Sequence, residues 1–73
     1  MSENKAMVKI EFDRVGGMSD GAVLLEIDNE SFWIPHSQIH ASCGMAFGDE
    51  DVWVIIPEWL AVAKGLESYG EAV

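Results

Sequence analysis

The residues best suited to metal binding lie in one short segment. His36 and His40 are four residues apart, and Cys43 follows three residues after His40. On a helix the two imidazoles would face the same side and could share a metal ion, but a zinc site usually needs a fourth ligand. Pro35 and Gly44 also disfavour a long helix in this segment. We therefore predict no metal site and no other cofactor.

The other groups that could do chemistry lack the partners that catalysis requires. A serine or cysteine nucleophile needs a base and an oxyanion hole, and neither a Gly-x-Ser-x-Gly elbow nor a familiar Cys-His spacing is present. The run Asp49-Glu50-Asp51 could supply a general acid and base, but adjacent acids more often form a solvated loop. Gly16, Gly17 and Gly21 do not have a phosphate-loop spacing, and no lysine follows them. We predict that the chain is not an enzyme.

Acidic side chains dominate the charge of the chain. Thirteen Asp and Glu residues against four Lys and Arg residues give a net charge of −9 at pH 7. Such a field repels a phosphate backbone and attracts a basic protein surface, so we expect a basic protein partner and no direct binding of nucleic acid. The alternative is that the carboxylates only keep a small protein soluble. The candidate partner-binding carboxylates are Glu11, Asp13, Glu26, Asp28, Glu30, Asp49, Glu50 and Asp51.

Two patterns make the partner hypothesis more specific. Alternate residues of a strand lie about 6.5–7 Å apart, so Glu26, Asp28 and Glu30 could imitate successive phosphates of a nucleic acid if the chain stays extended through them. Trp33 falls on the face opposite the apolar residues of its strand, where it is either covered or exposed as a contact anchor. The other aromatic residues are expected in the core, because a platform for single-stranded bases needs flanking cations.

The first half of the chain has the patterns of three strands. Apolar and polar residues alternate over Met7–Val15, which predicts a half-buried strand, and the glycines of 16–21 predict a long loop after it. Ala22–Asp28 and Ser31–Pro35 read as two further strands. The turn residues Asp28-Asn29-Glu30 between them predict a tight hairpin.

The second half is predicted to contain a buried strand and a short helix. Residues 36–51 have no periodicity and are expected to form a loop, with a short helical turn or irregular strand around Gln38–His40. Val52–Ile56 reads as the most buried strand, at the centre of the sheet. A helix is expected over Pro57–Lys64, ended by Gly65 in a left-handed conformation. Residues 1–5 and 67–73 are expected to fray. The predicted core contacts join Trp53, Val54, Ile56, Trp59 and Leu60.

Composition bounds the class of protein. Seventy-three residues, 49% of them hydrophobic, suffice for one small domain spanning 1–73. The longest uncharged stretch, 31–48, is too polar for a membrane span, which needs about 20 apolar residues. No basic region followed by an apolar run opens the chain, so we expect a cytoplasmic protein without a secretory signal. The single cysteine excludes an internal disulfide.

These elements predict a mainly β (α+β) fold. We expect a small antiparallel meander or half-barrel of four or five strands, closed by a short C-terminal helix. The sequence sets no oligomeric state.

Two segments resemble a pattern of small phage and prophage proteins. Trp33-Ile34-Pro35-His36-Ser37-Gln38-Ile39 is similar to W-[IL]-P-[KR]-S-Q-I, and the segment from Ile56 to Leu66 is similar to I-P-E-W-L-A-x-x-K-G-L. The resemblance covers roughly Lys9 to Leu66. It implies a phage origin and therefore the cytoplasm of a host cell.

The resemblance and the charge together suggest two functions. The first is a phage-type interaction protein that inhibits a host defence complex, as anti-CRISPR proteins inhibit CRISPR-Cas complexes, or a DNA-processing complex, by occupying its basic nucleic-acid-binding surface. The alternative is an accessory of phage replication or recombination that binds single-stranded nucleic acid through its aromatics. An exposed Trp33 beside Lys9 and Arg14 would favour the alternative. A self-associating or metal-dependent structural module is a third possibility.

Overall fold

The longest strand organises the fold. The computed structural model describes residues 6–73, in which the strands are β1 (Met7–Met18), β2 (Ala22–Ile27), β3 (Glu30–Pro35), β4 (Ala41–Cys43), β5 (Glu50–Pro57) and β6 (Gly70–Ala72), and the helix is α1 (Glu58–Ala63). The longest strand, β1, pairs with β5 along one edge and with both β2 and β6 along the other. All pairings are antiparallel, and the sheet order is β3-β2-β1-β5-β4.

The mainly β antiparallel fold is confirmed, and residues 6–73 form six strands rather than the predicted four or five. Only β1 to β3 form a simple meander, because β5 returns to pair with β1. Residues 36–51 were predicted to form a loop with a short helical turn or irregular strand around Gln38–His40. A short helical turn lies slightly earlier, at His36–Gln38, but the loop is interrupted by β4 and β5 begins at Glu50, so the prediction is wrong for those residues. A second short helical turn occupies Glu67–Tyr69. No helix in the described part of the chain is long and apolar enough to cross a membrane.

The glycine-rich segment after Val15 was predicted as a loop, and this prediction is wrong. β1 continues through Gly16 and Gly17, where the pairing with β2 shifts by one residue in a β-bulge. A β-carbon at position 16 would overlap the Glu26 carboxylate, so a larger residue there would require the Glu26 side chain to move. The connection to β2 is then a short turn, closed by the Ser19 N–H donating to the Ala22 carbonyl at 2.8 Å.

The hairpin of β2 and β3 is confirmed as a tight one. Asp28 and Asn29 have φ angles of 55° and 66°, the left-handed conformation that a two-residue turn needs to match the twist of its strands. The turn places Ile27 opposite Glu30 and Leu25 opposite Phe32.

One face of the sheet is buried and holds the core. Val54, Ile56 and Leu60 belong to it, as predicted, but Trp53 is half-buried on the opposite face and Trp59 is 58% exposed. The helix packs on the sheet through Leu60 and Ala61, so the side chain of the preceding residue points outward. The buried core residues are Ile10, Phe12, Val15, Val23, Leu25, Ile34, Val52, Val54, Ile56, Leu60, Ala61 and Leu66.

The last residues differ from the predicted frayed end. After Gly65, which has the predicted left-handed φ of 75°, Leu66 is buried and β6 pairs with Val8–Ile10 of β1. The strand occupies an edge of β1 that β2 does not reach, so its backbone gains partners. The expectation for residues 1–5 lies outside the described residues.

Candidate functional site

An acidic pocket lies on the outer face of β1 and β5. It is an open cavity of about 440 Å³ lined by Glu11, Phe12, Asp13, Asp51 and Trp53. Glu11 and Trp53 are directly opposite each other across the two strands. Three carboxylates and one indole ring therefore surround the same space.

Backbone geometry at Asp51 shapes this pocket. Its φ angle is 55°, an uncommon conformation for a residue with a side chain, although aspartate tolerates it better than most. The strand pairing is regular at Phe12–Val52 and again at Arg14–Glu50, but it is interrupted between them, at Asp13 and Asp51. Asp13 and Asp51 are therefore not a regular cross-strand pair, and both line the pocket at this point.

A hydrogen-bond network continues the acidic pocket toward the β2–β3 turn. The Asp28 N–H donates to Oδ2 of Asp13 at 3.2 Å, and the Tyr69 hydroxyl donates to Oδ2 of Asp28 at 3.0 Å. The hydrogen bond to Asp28 raises the pKa of Tyr69, and burial and the negative charges of Asp28, Glu30 and Asp13 raise it further. Three carboxylates therefore lie near one phenol.

These contacts join five carboxylates into one feature, which we call the acidic surface. Asp13 belongs both to the pocket and to the Tyr69 network, so the two groups are contiguous. The five come from β1, the hairpin turn, β3 and β5, and all are exposed. The acidic surface consists of Glu11, Asp13, Asp28, Glu30 and Asp51.

The other three predicted carboxylates have local partners instead. Glu26 accepts a hydrogen bond from the Arg14 guanidinium at 2.8 Å and forms an ion pair with it. This hydrogen bond and the charge of Glu26 raise the pKa of Arg14, and Glu50 contributes a smaller effect. Asp49 accepts from the Ala46 N–H at 3.0 Å and so holds the loop before β5.

The predicted phosphate-like row of Glu26, Asp28 and Glu30 does not form. The row required an extended chain, but Asp28 lies in the turn that reverses the direction of the chain. Glu26 is opposite Ser31 and has its carboxylate on Arg14. The contiguous carboxylates are gathered across strands rather than along one strand.

The ammonium group of Lys9 contacts the indole ring of Trp53. The Nζ atom of Lys9 lies 4.9 Å from the centre of the indole, within the range of a cation–π interaction. Lys9 precedes Glu11 on the same face of β1. The aromatic wall of the acidic pocket is thus already in contact with one ammonium group at its edge.

The prediction that aromatics other than Trp33 form the core is wrong for Phe47 and Trp59, which are exposed, and for Trp53, which lies on the outer face of the sheet. Phe47 is 73% exposed and Trp33 is 46% exposed. Trp33 lies on the outer face opposite Leu24, where its ring covers Gly17. Its neighbours are therefore apolar, because Lys9 lies on Trp53 and Arg14 is paired with Glu26.

A second, more apolar groove lies beside the helix. Trp59 and Val62 line it together with Ala6 and Glu58, and its volume is about 280 Å³. It is separate from the residues that line the acidic pocket.

The histidine and cysteine segment forms no metal centre within residues 6–73. His36 and His40 are exposed, and no group of three His, Cys, Asp or Glu side chains among the described residues is placed to hold a metal ion. The Nε2 atom of His36 lies 3.4 Å from the Ser19 carbonyl, which ties the end of β3 to the β1–β2 turn. Cys43 is a half-buried free thiol on β4.

Comparisons with protein-family models, with curated proteins and with solved structures find no match for this chain. The class that its own geometry defines is a small, mainly β antiparallel domain with a contiguous acidic surface.

Proposed function

We propose that this protein is a non-catalytic interaction protein that binds a basic surface of another protein. The observation that carries the proposal is the acidic surface, where five exposed carboxylates from four parts of the fold lie together. In the part of the chain that the structure describes, the ion pair within 4 Å joins Arg14 to Glu26, which is outside this surface. Lys9, on the Trp53 ring, supplies one positive charge beside these five carboxylates, so the carboxylates still repel one another, and a cationic partner relieves that repulsion.

The acidic pocket specifies the chemistry of the group it would bind. Guanidinium and ammonium groups donate hydrogen bonds to carboxylates and also stack on indole rings. Glu11, Asp13 and Asp51 supply the acceptors, and Trp53 supplies the ring. Because Lys9 already lies on this ring, an arginine or lysine side chain of the partner would share the ring with Lys9 or displace it while binding the carboxylates. The pocket is therefore the proposed centre of the contact.

The narrower form of the proposal concerns the identity of the partner. A protein surface that is basic enough to bind this chain is commonly one that binds nucleic acid. With the resemblance to phage proteins at Trp33–Ile39 and Ile56–Leu66, this supports an inhibitor that competes with nucleic acid for a host defence or DNA-processing complex.

The exposure of Trp33 favours the second candidate, binding of single-stranded nucleic acid. A base could stack on its free face. The ring lies among Leu24 and Gly17 rather than beside cations, so it lacks the positive groove that follows a phosphate backbone. The basic-partner proposal therefore stands first.

A matched pair of charge variants tests the proposal. Glu11→Gln, Asp13→Asn and Asp51→Asn together remove three charges from the acidic surface, whereas Asp20→Asn, Glu58→Gln and Glu67→Gln remove three from other exposed sites. The affinity for a labelled octa-arginine peptide, measured by fluorescence polarisation, should fall about tenfold in the first variant and much less in the second.

Equal losses in the two variants would contradict the proposal, because binding would then depend only on net charge. Circular dichroism melts show whether both variants remain folded. Tight binding of a single-stranded oligonucleotide that is lost in Trp33→Ala would support the second candidate instead.

A further inference from the structure

The outer edge of β3 is the longest strand edge without a neighbour among the described strands. β3 is last in the sheet order, and its six residues compare with three in β4 and three in β6. Natural proteins usually protect such an edge with a proline, a lysine, a bulge or a covering segment. Here Pro35 protects only the end of the strand.

The register of the hairpin shows which backbone groups face outward. Ile27 and Glu30 flank the two-residue turn and form a hydrogen-bonded pair. At the other end the His36 N–H donates to the Gly21 carbonyl at 3.0 Å, which continues the same alternation. The residues between the bonded positions, Ser31 and Trp33, therefore point their N–H and C=O groups away from β2.

These outward groups have no partner among residues 6–73. Neither the backbone nor the side-chain hydrogen bonds of that part of the chain use the N–H of Ser31 or of Trp33. Two donors and their carbonyls, spaced as in a strand, are the pattern that an added strand recognises.

The negative charge near this edge favours a basic segment as the added strand. Glu30 begins β3 and Asp28 lies in the adjoining turn, and both belong to the acidic surface. A second copy of this chain would bring another net charge of −9, which disfavours pairing of two such edges. A segment rich in lysine or arginine is attracted by the same field, and the exposed ring of Trp33 offers it an apolar contact.

We propose that the β3 edge binds an extended basic segment of the partner as an additional antiparallel or parallel strand. This inference rests on the proposed function, since the acidic surface supplies the attraction. It adds that recognition includes main-chain hydrogen bonds from Ser31 and Trp33.

Amide hydrogen exchange tests the proposal, with a capped peptide of four Lys-Val repeats as the probe. On saturation with the peptide, exchange at the amides of Ser31 and Trp33 should slow by about tenfold, while Phe32 and Ile34, already bonded to β2, should change little. A peptide of the same sequence with alternate amides N-methylated is the matched control. It should bind more weakly and should protect neither outward amide.

A variant separates the backbone contact from the charge. Ser31→Pro removes an outward N–H without removing a bond to β2, so the fold should persist and peptide binding should weaken. Ser31→Ala keeps the N–H and should bind like the parent. If Ser31→Pro is unfolded, the exchange measurement on the parent protein still decides the question.

The outcomes distinguish this inference from the proposed function. If peptide binding depends on the acidic surface but leaves the Ser31 and Trp33 amides unprotected, strand addition at the β3 edge is wrong and the proposed function stands. If the peptide protects these amides equally well in the variant with the three charge substitutions, strand addition at the β3 edge stands and the role of the acidic surface is wrong. Protection without peptide, rising with protein concentration, shows pairing between two copies and overturns the inference, as does an absence of any peptide binding.

Discussion

Asp13 and Arg14 are neighbours on β1, but they belong to two carboxylate clusters that differ in how their negative charge is balanced. Arg14 pairs with Glu26 and lies near Glu50, so that cluster carries its own cation. Asp13 connects the acidic pocket to the hairpin turn and Tyr69, where hydrogen bonds from a peptide N–H and a phenol are the contacts found. Whether a carboxylate of this chain is paired with a cation or left in the acidic surface therefore depends on which residues the strand register brings beside it.

The largest expected effect comes from a core substitution that unfolds the domain and so disperses both clusters. Phe12 is 2% exposed and lies between Glu11 and Asp13, which line the acidic pocket with it. Phe12→Ala should cost about 3–5 kcal/mol of unfolding free energy through lost burial and a cavity, enough to unfold so small a domain. Trp59→Ala, at an exposed site, should change stability by only about 0.5 kcal/mol. Urea denaturation measures both. A large loss for Trp59 with a small one for Phe12 would contradict the core described here.

Substitutions in the two clusters should shift stability in opposite directions. Glu26→Gln removes the partner of Arg14 and should lower the Tm, whereas the triple substitution of Glu11, Asp13 and Asp51 relieves repulsion and should raise it. Both shifts should shrink as salt screens the charges. Thermal melts at low and high ionic strength provide the test. Shifts of the same sign would show that the clusters are electrostatically equivalent.

The smallest effect concerns pH and Tyr69. Its pKa lies above the ordinary value of 10.0 because its hydroxyl donates to Asp28 among other carboxylates. The folded state then holds this proton more tightly than the unfolded chain, so the contribution to stability is full below pH 10.0 and is lost as pH rises through the folded pKa. Denaturation of Tyr69→Phe should lack this part of the pH dependence. A parent and variant with identical alkaline profiles would rule out the network as a source of stability.

Much of the fold could be predicted because its signals are local. Alternation defines β1 to β3, the Asp28-Asn29 turn defines the hairpin, and Gly65 ends the helix region. The course of the chain at Gly16 could not be predicted, because a bulge and a loop share the same glycine signal and the difference lies in the facing strand.

The candidate site was less accessible from the sequence, because its members meet through distant contacts. Tyr69 lies 41 residues from Asp28, its hydrogen-bond partner, and nothing local to either residue indicates the contact. The exposure of Trp59 depends on which helix face the sheet accepts. The choice of Glu26 rather than Asp13 as the partner of Arg14 depends on strand register.

The most direct test of the central claim is competition for a natural partner. The immobilised parent protein should retain a basic protein from a bacterial lysate, and added DNA should release it because both bind the same basic surface. The variant with Glu11, Asp13 and Asp51 neutralised should retain much less, and the matched variant at Asp20, Glu58 and Glu67 should retain as much as the parent. A retained partner that binds DNA and this protein together, with undiminished affinity for each, would contradict the account.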